Sequence, residues 1–330
     1  MVRHILKPAL KRGALVAAAN WPVIVVQAIA DSIFKALIAL PLVGGIFLVA
    51  LVVGADPGAL ISLDRRVLVT TIIAALLTRP IVLTAFLGSL AIVVIGGSLF
   101  VFLVKGGTVS TLVRGERSAG PIEQPPLYFH LLARASTFSI ESFAEASRTL
   151  FPRYARLGAL LMVVYVASGG AYLAAVMASR GAGWGVAALL TGGFVGWITV
   201  VNLMYLLMQI VIAADDCSVG SAATRVGLFV RRERRPVLGV FLVILGLVVF
   251  AQGASLLVTA ALGLIGFIPI VGLTVLPLQL LAWLFRALVF QYIGLSAVGA
   301  YVKLYRSGTQ VWEAHDGLQQ VPLANRAAAH

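Results

Sequence analysis

Residues 231–262 read RRERRPVLGVFLVILGLVVFAQGASLLVTAAL, four arginines and one glutamate set directly against a long apolar run. From Val237 to Leu262 no charged side chain interrupts the run, which as a helix rising 1.5 Å per residue crosses a hydrocarbon core about 30 Å thick. In lipid every backbone amide must be bonded within its own segment, and the run lacks the polar/apolar alternation of a barrel strand, so it reads as a helix. The arginines are then the cationic flank that holds the start of the span on the inner side. Pro236 stands where a helix tolerates a missing N–H.

The same reading extends to five further runs, 36–53, 80–104, 157–178, 186–212 and 272–302. Of the 330 residues, 61% are hydrophobic and only 11% charged, less than half the roughly 25% charge of a soluble domain. The expected fold is therefore an all-α polytopic membrane helix bundle, with six transmembrane helices and amphipathic interfacial helices. Residues 13–305 form the membrane domain, 1–12 a basic N-terminus, 105–156 a cytoplasmic linker and 306–330 a disordered tail. Two apolar regions exceed one crossing: 13–53, which contains Asp31 and Lys35, and 67–104, which contains Arg79 and Pro80. Residues 13–35 and 67–79 either lie at the interface or extend the adjoining helices. The apolar part before Asn20 is too short for a cleaved signal and runs on into a stronger stretch, so the first segment is read as uncleaved.

Orientation follows from the cations. With one crossing in 13–53, 19 Lys and Arg fall in 1–12, 105–156, 213–236 and 303–330, against 4 on the opposite side. This bias predicts a multi-pass protein with both termini cytoplasmic. The net charge of +13 is gathered in short clusters beside the spans, a pattern that suits anionic lipid headgroups and argues against a nucleic-acid partner. The densest cluster, Arg225, Arg231, Arg232, Arg234 and Arg235, is a candidate basic interfacial site.

Two amphipathic stretches precede spans. In 138–151, Ile140, Phe143, Ser147 and Leu150 recur on one helical face while Glu141, Glu145 and Arg148 fall on another; in 219–232, Ala222, Val226 and Phe229 oppose Arg225 and Arg232. Such helices either lie in the headgroup layer or pack under the bundle as elbows. Between the second span and the first of them, 114–126 has the Gly and Pro content of a loop. Residues 145–163 and 222–243 also match loosely in order of residue types.

VKGGTVSTLVRGE (104–116), FAEASRTLFPRYARLGAL (143–160) and VGSAATRVGLFVRRERRPVLG (219–239) together resemble the pattern of bacterial six-span integral membrane domains of largely unknown role. These include the membrane domain attached to some glycerophosphodiester phosphodiesterases. The resemblance covers about residues 15 to 305 and implies an accessory or scaffold-like role in the membrane. It carries no catalytic residue, and the chain has no room for the phosphodiesterase barrel.

Charges within spans are costly and mark candidate sites. Asp31 and Lys35, four apart, form either a polar site or a local ion pair near the interface. Arg286 stands near mid-span and either faces a polar cleft with Gln279 and Gln291, or pairs with a carboxylate such as Asp31. Asn202 and Gln209, seven apart, either line a path toward Asp215 and Asp216 or hydrogen-bond between helices. Asp215 and Asp216 are expected to cap the helix beginning near Ser218. Gly192 and Gly196 permit close helix approach, within the chain or between copies.

No HExxH, GxSxG, GxGxxG or Walker sequence occurs, and no histidine falls in an apolar span. Cys217 is the only cysteine and can form no intrachain disulfide. No cofactor or metal is expected. The expected function is a non-catalytic scaffold or accessory subunit contacting membrane lipid, another membrane protein or itself. The alternative is a transporter or lipid-handling protein with a polar cavity reaching Arg286.

Overall fold

The computed structural model describes residues 2–54, 58, 64, 67, 70, 74, 77–179, 181, 183–266 and 269–319, and among them finds only helices as regular elements. These are α1 (Val2–Ala19), α2 (Trp21–Val53), α3 (Pro80–Ser118), α4 (Phe129–Ala135), α5 (Ile140–Ala178), α6 (Trp184–Asp215), α7 (Val219–Arg232), α8 (Arg234–Gly266) and α9 (Pro269–Gln319). Among the described residues six helices are long and apolar enough to cross a membrane, over Trp21–Leu48, Pro80–Ser118, Ile140–Ala178, Trp184–Asp215, Arg234–Ile265 and Pro277–Thr309. The chain is an all-α, multi-pass membrane protein. Most of 67–79 lies outside the described residues, whereas 21–35 extends the first membrane helix as its first turns.

Two compact units divide the chain: Gln27–Val104, and Met1–Val26 with Lys105–His330. The smaller unit is an antiparallel helix pair in which aromatic rings cover glycines reciprocally. Phe34 of α2 lies over Gly97 of α3, and Phe86 of α3 lies over Gly45 of α2, where a Cβ would come within 2.6 Å of the ring. A glycine opposite each ring lets the helices approach without displacing it.

In the larger unit, the buried residues gather where the helices carry their basic flanks. There α1 crosses α9 at Gly13 and Gly299. A Cβ on Gly13 would collide with the Ser296 carbonyl and lie 2.5 Å from the Ala300 nitrogen, and one on Gly299 would lie 2.9 Å from the Gly13 Cα. Gly106 and Gly107 of α3 meet Leu150, Ser147 and Phe143 of α5 in the same manner. Away from this end the span side chains face outward, as at Trp184 (87% exposed) and Phe250 (75%).

Two of the sequence expectations change in kind. α5 runs unbroken through Pro152, so 138–151 forms no separate interfacial helix; Ser147, Leu150, Tyr154 and Leu157 form one buried stripe across the proline, and packing holds the helix together where a backbone bond is missing. α7 is the separate elbow, capped by Ser218, whose side chain accepts from the Ser221 N–H. It packs under the bundle through Ala222, Val226 and Phe229, all buried, with Phe229 edge-on to Tyr305 at 5.4 Å. Burial of the Phe229 ring contributes about 1.5–3 kcal/mol.

Two segments also extend further than expected. α3 continues to Ser118, so the loop begins about a helical turn later than 114, because Gly115 lies against the Ala135 carbonyl and Asn20. α9 continues through Arg306 to Gln319, where a disordered tail was expected; residues 320–330 lie outside the described residues.

Candidate functional site

At the basic end, helix ends are joined by ion pairs that join residues distant in sequence. Arg12 of α1, 6% exposed, bonds Glu116 Oε1 through Nε at 3.1 Å and the Glu116 carbonyl through Nη2 at 2.9 Å. Its Nη1 donates to Glu123 Oε2 at 2.6 Å and to the Gly120 carbonyl. Arg306 of α9 takes the other oxygen of Glu116, itself 2% exposed. One buried carboxylate thus holds two guanidiniums from opposite ends of the chain. Burial alone pushes the Glu123 carboxyl up, but backbone and Arg12 hydrogen bonds outweigh it and leave it below the usual carboxylate range.

Asn20, fully buried at the turn between α1 and α2, donates to the carbonyls of Val16 (3.0 Å) and Ala135 (2.8 Å) and accepts from the Thr137 N–H (3.0 Å). Asp215 accepts from Arg225 and Tyr305, both at 2.5 Å, and Asp216 pairs with Arg153. The two aspartates therefore tie α5, α6, α7 and α9 together instead of capping α7, the role that Ser218 takes. Burial, ahead of the neighbouring charges, raises the Cys217 thiol above its usual range.

Of the basic cluster, Arg225 is used in the Asp215 pair, while Arg231, Arg232, Arg234 and Arg235 are exposed. Asp31 and Lys35 form a pair of their own at 2.6 Å on one face of α2. Asn202 accepts from the Tyr165 hydroxyl on the facing helix. Higher on the same α5/α6 seam, Trp197 donates to Ser168 at 2.9 Å and Tyr172 shares a hydrogen bond with Thr191 at 3.0 Å. Gln209 is fully buried; its backbone carbonyl accepts from Tyr154 at 2.7 Å, and the Tyr205 hydroxyl is the polar neighbour of its amide, which makes no hydrogen bond of ordinary geometry. Asn202 is thus an interhelical tie. A Cβ on Gly192 or Gly196 would meet nothing within 4 Å, so close approach at these glycines is left to contacts between copies or with other helices.

Arg286 has a different environment. Among the described residues no carboxylate pairs with it; its Nη2 donates to Gln252 Oε1 of α8 at 3.2 Å, and its guanidinium lies 5.6 Å from the Phe290 ring centre. It lines a cavity of about 620 Å³ between α8 and α9 with Phe250, Ala254, Val258, Gln279 and Trp283. The walls are largely apolar, so the expected cleft exists but its polarity is confined to Arg286, Gln279, the Trp283 indole and the hydroxyls of Ser255 and Thr259, and Gln291 is not part of its lining. A permanent cation beside an apolar cavity can hold an anionic group and offers no acid, base or nucleophile for chemistry. Among the described residues no three His, Cys, Asp or Glu side chains cluster as metal ligands would.

No protein-family model matches the chain, and neither does any curated protein or solved structure.

Proposed function

We propose that the protein is a non-catalytic scaffold or accessory subunit of a bacterial cytoplasmic membrane, with both termini and the basic end in the cytoplasm. The observation that carries this reading is the use of the carboxylates: buried Glu116 joins α1 to α9 through Arg12 and Arg306, Glu123 ties the loop after α3 to Arg12, and Asp215 and Asp216 at the end of α6 bond α7, α9 and α5. The end of the molecule richest in charge is built as a support, and what it presents outward is exposed arginine. The resemblance to bacterial six-span membrane domains points the same way, since three of the stretches that carry it form the packed end. A second reading, lipid or solute handling, is favoured by the cavity that reaches Arg286.

Sidedness is tested with single cysteines in a Cys217→Ser background. A cysteine at Tyr128 should react with an impermeant maleimide only in inverted vesicles, and one at Gly181 only in intact spheroplasts; the reverse pattern sinks the orientation. Photo-crosslinking in native membranes from Leu189 and Leu242 then examines the role. One discrete protein adduct, with another protein or a second copy, supports a scaffold, whereas adducts with lipid alone discard it in favour of the second reading.

A further inference from the structure

The cavity between α8 and α9 has dimensions, walls and a charge that together specify an occupant. It extends on α8 from Leu247 to Gly263 and on α9 from Gln279 to Ile293, about 20–25 Å along the helices. Its volume of about 620 Å³ is within the roughly 300–1,000 Å³ of ligand sites. A slot so long and apolar between membrane helices suits a hydrocarbon chain, and its one charge calls for an anion.

The placement of that charge narrows the choice. Seventeen residues separate Arg286 from Lys303, so its Cα lies roughly 25 Å along α9 from the basic end, in a hydrocarbon layer about 30 Å thick. Side chains of a helix lean toward its N-terminus, which directs the guanidinium of Arg286 away from the basic end and toward the opposite headgroup layer. Among the described residues Arg286 has one hydrogen-bond partner, the neutral Gln252. A guanidinium at this depth is stabilised far more by a phosphate than by one amide oxygen.

We propose that the α8/α9 groove binds one anionic phospholipid, its phosphate on Arg286 and an acyl chain between the two helices. This site is separate from the exposed arginines of the basic end and stands whether or not the scaffold reading holds. Gln252, outside the groove lining, orients the guanidinium through its Oε1. Aromatic side chains of the groove, Phe250 and Trp283 among them, cover the chain.

The test is native mass spectrometry of the full-length protein in detergent, incubated with phosphatidylglycerol or phosphatidylcholine of the same acyl chains. The intact protein should retain one phosphatidylglycerol, with about a tenfold preference over phosphatidylcholine. Arg286→Gln should remove the preference, and Ala254→Trp, which fills the groove, should reduce retention of both lipids. Arg234→Gln with Arg235→Gln should leave the preference unchanged. Equal retention of the two lipids by the intact protein overturns the proposal, as does a preference that survives Arg286→Gln or disappears in the double variant. Gln252→Glu serves where Arg286→Gln fails to fold: it gives Arg286 an internal counter-ion at unchanged groove size, so the preference should vanish, and a preference left intact is equally fatal.

Discussion

Two arginines in the larger unit face opposite circumstances. Arg12 is enclosed by two carboxylates and two backbone carbonyls at the packed end, whereas Arg286 stands beside a cavity with one side-chain amide. The first is held by charge neutralisation inside protein, and removing its partners leaves a buried charge with nothing to offset it. The second, among the described residues, makes one hydrogen bond and one ring contact. One arginine is part of the support, and the other is available to something else.

The sharpest way to break the contrast is Glu116→Ala. It strips both Arg12 and Arg306 of a shared, buried partner and should cost about 3–5 kcal/mol, read as a lower midpoint of unfolding in detergent. Gly13→Ala should follow at about 1–3 kcal/mol in the same assay, because the new methyl meets backbone of α9, which cannot turn aside. Arg286→Leu should change stability by less than about 1 kcal/mol, since it removes one interhelical hydrogen bond and relieves a charge from the apolar layer. A loss as large as that of Glu116→Ala would make the two arginines alike and end the distinction.

The smallest effect expected is that of acid. The Glu123 carboxyl is held below its usual range when folded, so its contribution is fully present above that range and is lost as pH falls through the lowered value. Unfolding followed from pH 6 to pH 3 should show an acid-side loss that Glu123→Gln diminishes.

Much of the fold was legible because lipid imposes a simple rule on composition: uninterrupted apolar runs marked all six membrane helices. Helix ends were less legible. The 138–151 stretch read as a separate amphipathic helix, yet α5 runs through Pro152 unbroken, since the buried stripe on both sides of the proline outweighs the one lost bond. The clamp was not legible, because Arg12 and Glu116 lie 104 residues apart and Glu116 and Arg306 lie 190 apart, and no local spacing connects them. Gln252, missed for the same reason, is the lone amide in the middle of its span; Gln279 and Gln291 drew notice only because they share a helix with Arg286. Gly13 and Gly299 carried no motif, whereas Gly192 and Gly196 carried one and a Cβ on either would meet nothing within 4 Å among the described residues.

The crossing of α1 over α9 also sets an order of events during synthesis. Tyr292 bonds the Ala14 carbonyl across 278 residues, and at 5–20 residues per second roughly 15 to 55 seconds pass between translation of the two. For that interval the Gly13 face of α1 is without its α9 partner, while Glu116 and Glu123 become available to Arg12 earlier, after 104 and 111 residues. A chaperone or the insertion machinery has that window in which to shield it, and the newborn protein acquires its final resistance to proteolysis only when the last membrane helix arrives.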